Sequence, residues 1–272
     1  MNLSNETIIH IKKEKIEYIQ FRKLLEYEDI ITHAYTLRTN LDFKRASEKI
    51  MLESYEKLGK ELSFSLDDIV RPVQSNTDNV EIVNKTNLEK EYVCYANQFN
   101  NVDGLITNEK KIVLSTTSAD CISFLFFDPN TNVIANVHSG WRGTLQKIAL
   151  KTVQKMVFQE GCKAKDILCF ICPSIRKCHF EVEEDVAKKY EEEFSNVENI
   201  EKLIKYMGIK NEVKKWNIDT IEINKNILEK FGLKRENIID SNICTVCNKK
   251  EFHSYRGEGK LNGLNTAIIG LK

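Results

Sequence analysis

Cys121 and His138 carry the side chains best suited to chemistry, because a thiol and an imidazole can share a metal or act as nucleophile and base. They flank two short apolar runs, residues 122–127 and 133–137, separated by Asp-Pro-Asn-Thr-Asn, a sequence suited to a tight reversal between strands. The pattern predicts a β-hairpin. Its midpoint falls between Pro129 and Asn130, so an antiparallel register would set Cys121 beside His138 at the open end. Asp120 is then placed to orient one of the two. The same pattern also fits a core hairpin with a buried thiol and a hydrogen-bonded histidine.

The elements around the hairpin must position this pair. Ser-Gly-Trp-Arg-Gly-Thr follows His138, and Leu145, Ile148, Ala149, Thr152, Val153, Met156 and Val157 form the apolar stripe of an amphipathic helix, with Thr144 as its expected N-cap. Arg142 offers a planar fork for phosphate or carboxylate. Residues 32–38, ending in Arg38, and 252–257, containing Arg256, are rich in hydrogen-bonding groups. They read either as substrate contacts at the hairpin mouth or as ordinary surface loop ends.

Forty basic and forty acidic side chains cancel, so composition gives no footprint for nucleic acid or an anionic membrane. The first residues are polar and charged and no apolar run reaches spanning length, which sets a cytoplasmic expectation. The eight cysteines would then be free thiols, ligands or nucleophiles. Two Cys-x-x-Cys pairs occur, Cys169/Cys172 and Cys244/Cys247. The 71 residues between them exceed a zinc-ribbon spacing, and the first pair sits in an apolar strand, so ordinary buried or strand-end thiols are expected.

Strands are expected around residues 16–24, 30–37, 69–73, 80–83, 92–95, 112–115, 167–171, 238–245 and 265–269. Helices are expected over 43–62, after Thr144, over 183–194, and after Asp219-Thr-Ile-Glu222, a capping-box-like start closed by Gly232. The charged region 183–215 reads as a solvated helical surface. With no linker and no repeat, residues 1–272 are expected to form one mixed α+β domain.

Several motifs resemble a known family, the bacterial proteins once described as multicopper polyphenol oxidases and their mammalian laccase domain-containing relative. They are Ala119-Asp120-Cys121, Val137-His138-Ser139-Gly140-Trp141-Arg142-Gly143-Thr144, Cys172-Pro173-Ser174-Ile175, Phe252-His253-Ser254-Tyr255-Arg256, His33-Ala-Tyr-Thr-Leu-Arg38 and Val102-Asp103-Gly104-Leu105-Ile106-Thr107. The resemblance implies a single-domain layered α/β sandwich with mixed sheets and a metal site of one Cys and two His. It implies zinc, or copper by softness, with Cys121 and His138 as ligands. It also implies purine nucleoside chemistry: phosphorolysis of adenosine, inosine, guanosine and methylthioadenosine, and deamination of adenosine.

On the matching positions Cys121, His138 and Asp120 would be catalytic, while Arg38, Arg142, Ser174 and Arg256 would contact nucleoside and phosphate. No nucleic acid or membrane partner is implied, and the oligomeric state is not addressed. The family's first ligand is a histidine in Gln-x-His; here Gln74-Ser75-Asn76 puts an amide there, with His33 or His253 as substitutes. Cys172 and Arg176 replace two family glycines. Beside the metal-dependent nucleoside enzyme stand two alternatives. One is a metal-free Cys-His amide hydrolase of a peptidoglycan-editing type, and the other a catalytically silent nucleoside-binding relative.

Overall fold

The computed structural model describes residues 1–44, 48–88, 99–261 and 263–272. The expected strand at 92–95 and residues 45–47 of the helix expected over 43–62 lie outside these residues; Phe43 and Lys44 are not helical. Two six-stranded mixed sheets form the centre of an α+β sandwich. The first orders β1 (Ile8–Lys12), β2 (Glu17–Phe21), β3 (Ile31–Thr36), β15 (Asn265–Leu271), β7 (Val113–Ser118) and β4 (Ile69–Val70). The second orders β14 (Ile238–Asp240), β10 (Leu168–Ile171), β8 (Ile122–Asp128), β9 (Val133–Ser139), β6 (Gly104–Thr107) and β5 (Val80–Ile82).

The sheets meet face to face through Phe21, Tyr35, Leu114 and Ile269 on one side and Leu105, Leu125, Phe127 and Phe170 on the other. The outer face of the first sheet is covered by helix α2 (Glu48–Leu62) through Met51, Tyr55 and Leu58. That of the second is covered by α4 (Ile148–Phe158) and α7 (Thr220–Phe231). With both faces covered, β8 can be apolar at nearly every position, and all seven of its residues are buried. A small third sheet of β11 (Glu181–Val182), β13 (Val213–Ile218) and β12 (Ile204–Lys210) packs with α5 (Glu184–Glu193) at one end.

Asn136 on β9 is a buried polar side chain in the layer between the sheets. Its carboxamide accepts from Thr116 Oγ1 at 2.6 Å and donates to the carbonyls of Leu114 at 2.9 Å and Ala267 at 2.7 Å. One side chain thus ties the second sheet to two strands of the first. Asn136→Ala is expected to cost about 2–3 kcal/mol, because it strands a buried hydroxyl and opens a void. Urea denaturation should show a lower midpoint with unchanged slope.

Several local expectations are corrected. The helix after Thr144 is two helices, α3 (Trp141–Leu145) and α4, broken where Lys147 takes a left-handed φ of 58°. Thr144 lies inside α3, and its hydroxyl bonds Ser139 Oγ at 3.1 Å and accepts from Asn224. The charged stretch ending at 215 is helical only in α5 and in α6 (Ile200–Leu203). Its remainder is the β12–β13 hairpin, turned by Asn211 and Glu212 at positive φ. High charge hid the alternation of a half-exposed ribbon. Asp219 does cap α7, accepting from the Glu222 amide at 3.0 Å, and Gly232 closes that helix.

Candidate active site

The site is built at the open end of the β8–β9 hairpin. The register pairs Ile122 with Ser139 and Ser123 with His138, so Cys121 faces Gly140 rather than His138. The expected pairing was off by two residues, since the turn is centred one residue later. A shift of two preserves the face, so Cys121 and His138 remain diagonal neighbours within reach. The Cys121 sulfur lies close enough to the His138 imidazole to raise its pKa.

Behind His138 lies Asp103, fully buried, whose Oδ1 is 2.8 Å from Nδ1 of the ring. Burial alone would lower the pKa of His138, but Asp103 and Cys121 outweigh it and raise the ring to about 9. The same pairing, with the amides of Thr77 and Ser75, holds the Asp103 carboxyl below its ordinary value despite its burial. Nδ1 is engaged by Asp103, which leaves Nε2 for Cys121. The result is an Asp103–His138–Cys121 relay whose outer member is half-buried while the inner two are not accessible.

Asp103 also accepts from the amides of Ser75 at 3.1 Å, Asn76 at 3.2 Å and Thr77 at 2.8 Å. These bonds hold Asn76 at a φ of 60°. Asn76 and Cys121 converge on Gly140: a methyl group there would lie 2.6 Å from Asn76 Oδ1 and 3.3 Å from Cys121 Sγ. Asp103 was visible in Val102-Asp103-Gly104 but carried no assigned role in the sequence, because its partner is 35 residues away.

Asp120 does not touch the relay through its carboxylate. It adopts a φ of 88°, unusual for a residue with a side chain, immediately before Cys121. Three bonds hold it there: Thr245 Oγ1 donates to Oδ1 at 2.6 Å, the Arg256 amide to Oδ2 at 2.6 Å, and the Ile175 amide to its carbonyl at 2.8 Å. Asp120 is therefore a positioning residue that aims Cys121. Asp120→Ala should cost about 2 kcal/mol or more by orphaning two donors. It should also slow alkylation of Cys121 or change its rate, read by mass spectrometry.

The proposed substrate contacts divide. Arg256 and Trp141 line a cleft of about 260 Å³ with Phe180, Val182 and Val186. Trp141 directly follows Gly140, which Cys121 approaches, and the Arg256 amide holds Asp120, so both residues of the cleft are tied through their backbones to the neighbours of Cys121. The Arg142 guanidinium is exposed and lies 4.3 Å from the Trp141 ring centre, and Lys189 approaches the same ring at 5.9 Å. Arg38 and Ser174 do not face the cleft. Arg38 binds Glu258 at 2.6 Å and the Lys249 carbonyl at 2.8 Å, while Ser174 is fully buried. Another cleft, about 700 Å³ beside Lys147, Glu193 and Lys230, is lined by no cysteine or histidine.

The substitutes for a third ligand are engaged elsewhere. His33 accepts the Phe21 amide at 2.8 Å, burial lowers its pKa to about 3, and its ring stacks on Phe21. His253 is held at the Leu41 carbonyl, 3.0 Å away. The donors at the relay are one thiol, one imidazole and the Asn76 amide, short of the three strong ligands of a catalytic zinc site. They are further still from a multicopper set, since the five histidines are dispersed. A zinc or copper ion is therefore not matched by these residues. Among the described residues, the group that could hold a metal is a different one, Cys178, His179, Cys244 and Cys247.

A layered α+β sandwich with a buried carboxylate–imidazole pair beside a half-buried thiol at a hairpin mouth defines the class of this protein. The chain belongs to the family described as multi-copper polyphenol oxidoreductase laccase, which it matches over residues 32–272. It is similar to human purine nucleoside phosphorylase LACC1, 27% identical over 263 residues, covering 90% of this chain and 56% of that protein. It thus spans about half the length of that relative. It is also similar to adenosine deaminase RL5 from an unknown prokaryotic organism, 28% identical with 78% and 79% of the two chains covered. The solved structure of the Bacillus licheniformis hypothetical protein YfiH superimposes with a TM-score of 0.84 at 23% identity, covering 97% and 99% of the two chains. Among the described residues, no helix is long and apolar enough to cross a membrane.

Proposed function

We propose that this chain is a purine nucleoside enzyme in which the Cys121–His138 pair, backed by Asp103, moves the proton the reaction needs. The observation that carries the reading is the Asp103–His138 pair behind a half-buried Cys121, with the backbone of Arg256, a residue of the cleft wall, bonded to Asp120 next to that thiol. Relatives named for purine nucleoside phosphorylase and adenosine deaminase support the substrate class.

In phosphorolysis a phosphate oxygen forms a bond to C1′ of the ribose while the C1′–N9 bond breaks, and the departing purine takes a proton at N7. His138, whose pKa lies above neutrality, holds that proton and passes it through the Cys121 thiol at the mouth. Phe180, Val182 and Val186 supply an apolar wall for the base. Arg142, Lys189 and Arg256 bring cations around Trp141 that could bind phosphate, against the carboxylates of Glu183 and Asp185 in the same cleft. No step passes through a metal.

A second reading rests on the same relay: Cys121 as nucleophile, His138 as its base and Asp103 as the orienting carboxylate, which would act on an amide. Ultraviolet assays on adenosine and inosine with and without phosphate separate the two. Phosphate-dependent release of free base supports the nucleoside reading. Failure of both nucleosides, with one-step inactivation by iodoacetamide of amide turnover, would favour the hydrolase.

A further inference from the structure

Three thiols and an imidazole gather on the two segments that carry Phe180 of the cleft and Thr245, the partner of Asp120. Cys178 and His179 come from the segment between β10 and β11, and Cys244 and Cys247 from the segment between β14 and helix α8 (Tyr255–Glu258). Their ligand atoms all lie within 4.8 Å of one another. Sulfur–sulfur distances are 3.6 Å from Cys178 to Cys244 and 3.9 Å from Cys178 to Cys247. His179 Nδ1 lies 3.2, 3.6 and 3.5 Å from the sulfurs of Cys178, Cys244 and Cys247.

These are five of the six edges of a coordination tetrahedron, and the sixth, Cys244 to Cys247, is within 4.8 Å. With zinc–sulfur bonds of about 2.3 Å and a zinc–nitrogen bond of about 2.05 Å, ideal edges are about 3.8 Å between sulfurs and about 3.6 Å from sulfur to nitrogen. A disulfide needs about 2.05 Å, far inside these separations, and three thiols leave one without a partner. The two halves of the cluster are 66 residues apart in sequence. Cys169 and Cys172 are buried thiols in and just after β10, as expected, whereas Cys244 and Cys247, expected to be ordinary strand-end thiols, meet Cys178 and His179.

We propose that Cys178, His179, Cys244 and Cys247 form a structural zinc site. Three thiolates with Zn²⁺ and a neutral imidazole leave a net charge near −1, and two arginines adjoin the site. Arg256 donates to the carbonyls of His179 at 2.8 Å and Glu181 at 3.0 Å, and Arg176 donates to that of Ile243 at 3.1 Å. The four ligands close the coordination shell, so the ion has no open position for substrate. Its effect is to clip two loops together. One loop carries Phe180 and Val182 of the cleft, and the other carries Thr245, which holds Asp120 behind Cys121.

The test is elemental analysis of the full untagged chain after gel filtration in a mild chelator. The parent and Cys121→Ala should each retain about one zinc per chain, while the double variant Cys178→Ser with Cys247→Ser should retain none. Zinc lost from Cys121→Ala but kept by the double variant overturns the site, as does copper or iron in zinc's place. If the double variant fails to fold, thiol titration of the folded parent decides. The three cluster thiols should react only after a strong chelator is added; reaction at the same rate with and without it overturns the proposal. Loss of this zinc site and loss of nucleoside turnover are separate readouts, so either reading can fail alone.

Discussion

His138→Gln should lower nucleoside turnover by about 10²–10⁴-fold, the range of a lost general acid or base, with the fold retained. Retention is expected because Asp103 still holds the amides of Ser75, Asn76 and Thr77 and the Thr77 hydroxyl when the imidazole is gone. The charge left behind is buried but not orphaned. Circular dichroism checks the fold, and kcat separates this variant from a binding defect.

The pH profile of the parent carries the same claim. His138 is raised from 6.5 to about 9, so its contribution to stability is complete below 6.5, declines above it and is gone once pH has risen through about 9. Asp103 is lowered from 3.8, so its contribution is present above 3.8 and is lost as pH falls through its lowered value. Turnover should therefore keep a proton donor up to about pH 9 and fall above it. Asp103→Asn removes the carboxylate that raises the ring, and should move that upper limb to lower pH. An unmoved limb would separate Asp103 from the chemistry.

Asn76→His should create the metal centre that the parent lacks. Asn76 and Cys121 already converge on Gly140, and His138 lies beside Cys121, so a histidine at 76 adds a second imidazole to the set. Zinc affinity at this site should rise roughly a hundredfold, the factor given by about 3 kcal/mol of added ligand free energy. A left-handed φ of 60° is less favourable for histidine than for asparagine and offsets part of that gain. Elemental analysis should find about one zinc more than in the parent, above the ion held by the cysteine cluster. Equal zinc content in the two proteins would mean that residue 76 does not face Cys121 and His138 closely enough to share an ion.

Much of this architecture was legible in the order of residues. The hairpin, the strands at 31–36 and 265–271, α5 and the capped α7 follow from alternation, apolar runs and turn residues, signals that depend on near neighbours. What was not legible depends on contacts across the fold. Asp103 reaches His138 over 35 residues, and Thr245 reaches Asp120 over 125. The cysteine cluster joins segments separated by 66 residues, while the nearer Cys169 and Cys172 are drawn into the core. Arg38 and Ser174, named for their motifs, are spent on Glu258 and on burial, because a motif shows which residues are near in sequence and not which way they face.

The most direct test of the central claim is phosphorus nuclear magnetic resonance of the purified chain with inosine in phosphate buffer. The account predicts a new ribose 1-phosphate signal growing in step with free hypoxanthine, present in the parent and absent in His138→Gln. Hypoxanthine released with free ribose and no phosphate ester, or no turnover of any purine nucleoside by the folded parent, would contradict it.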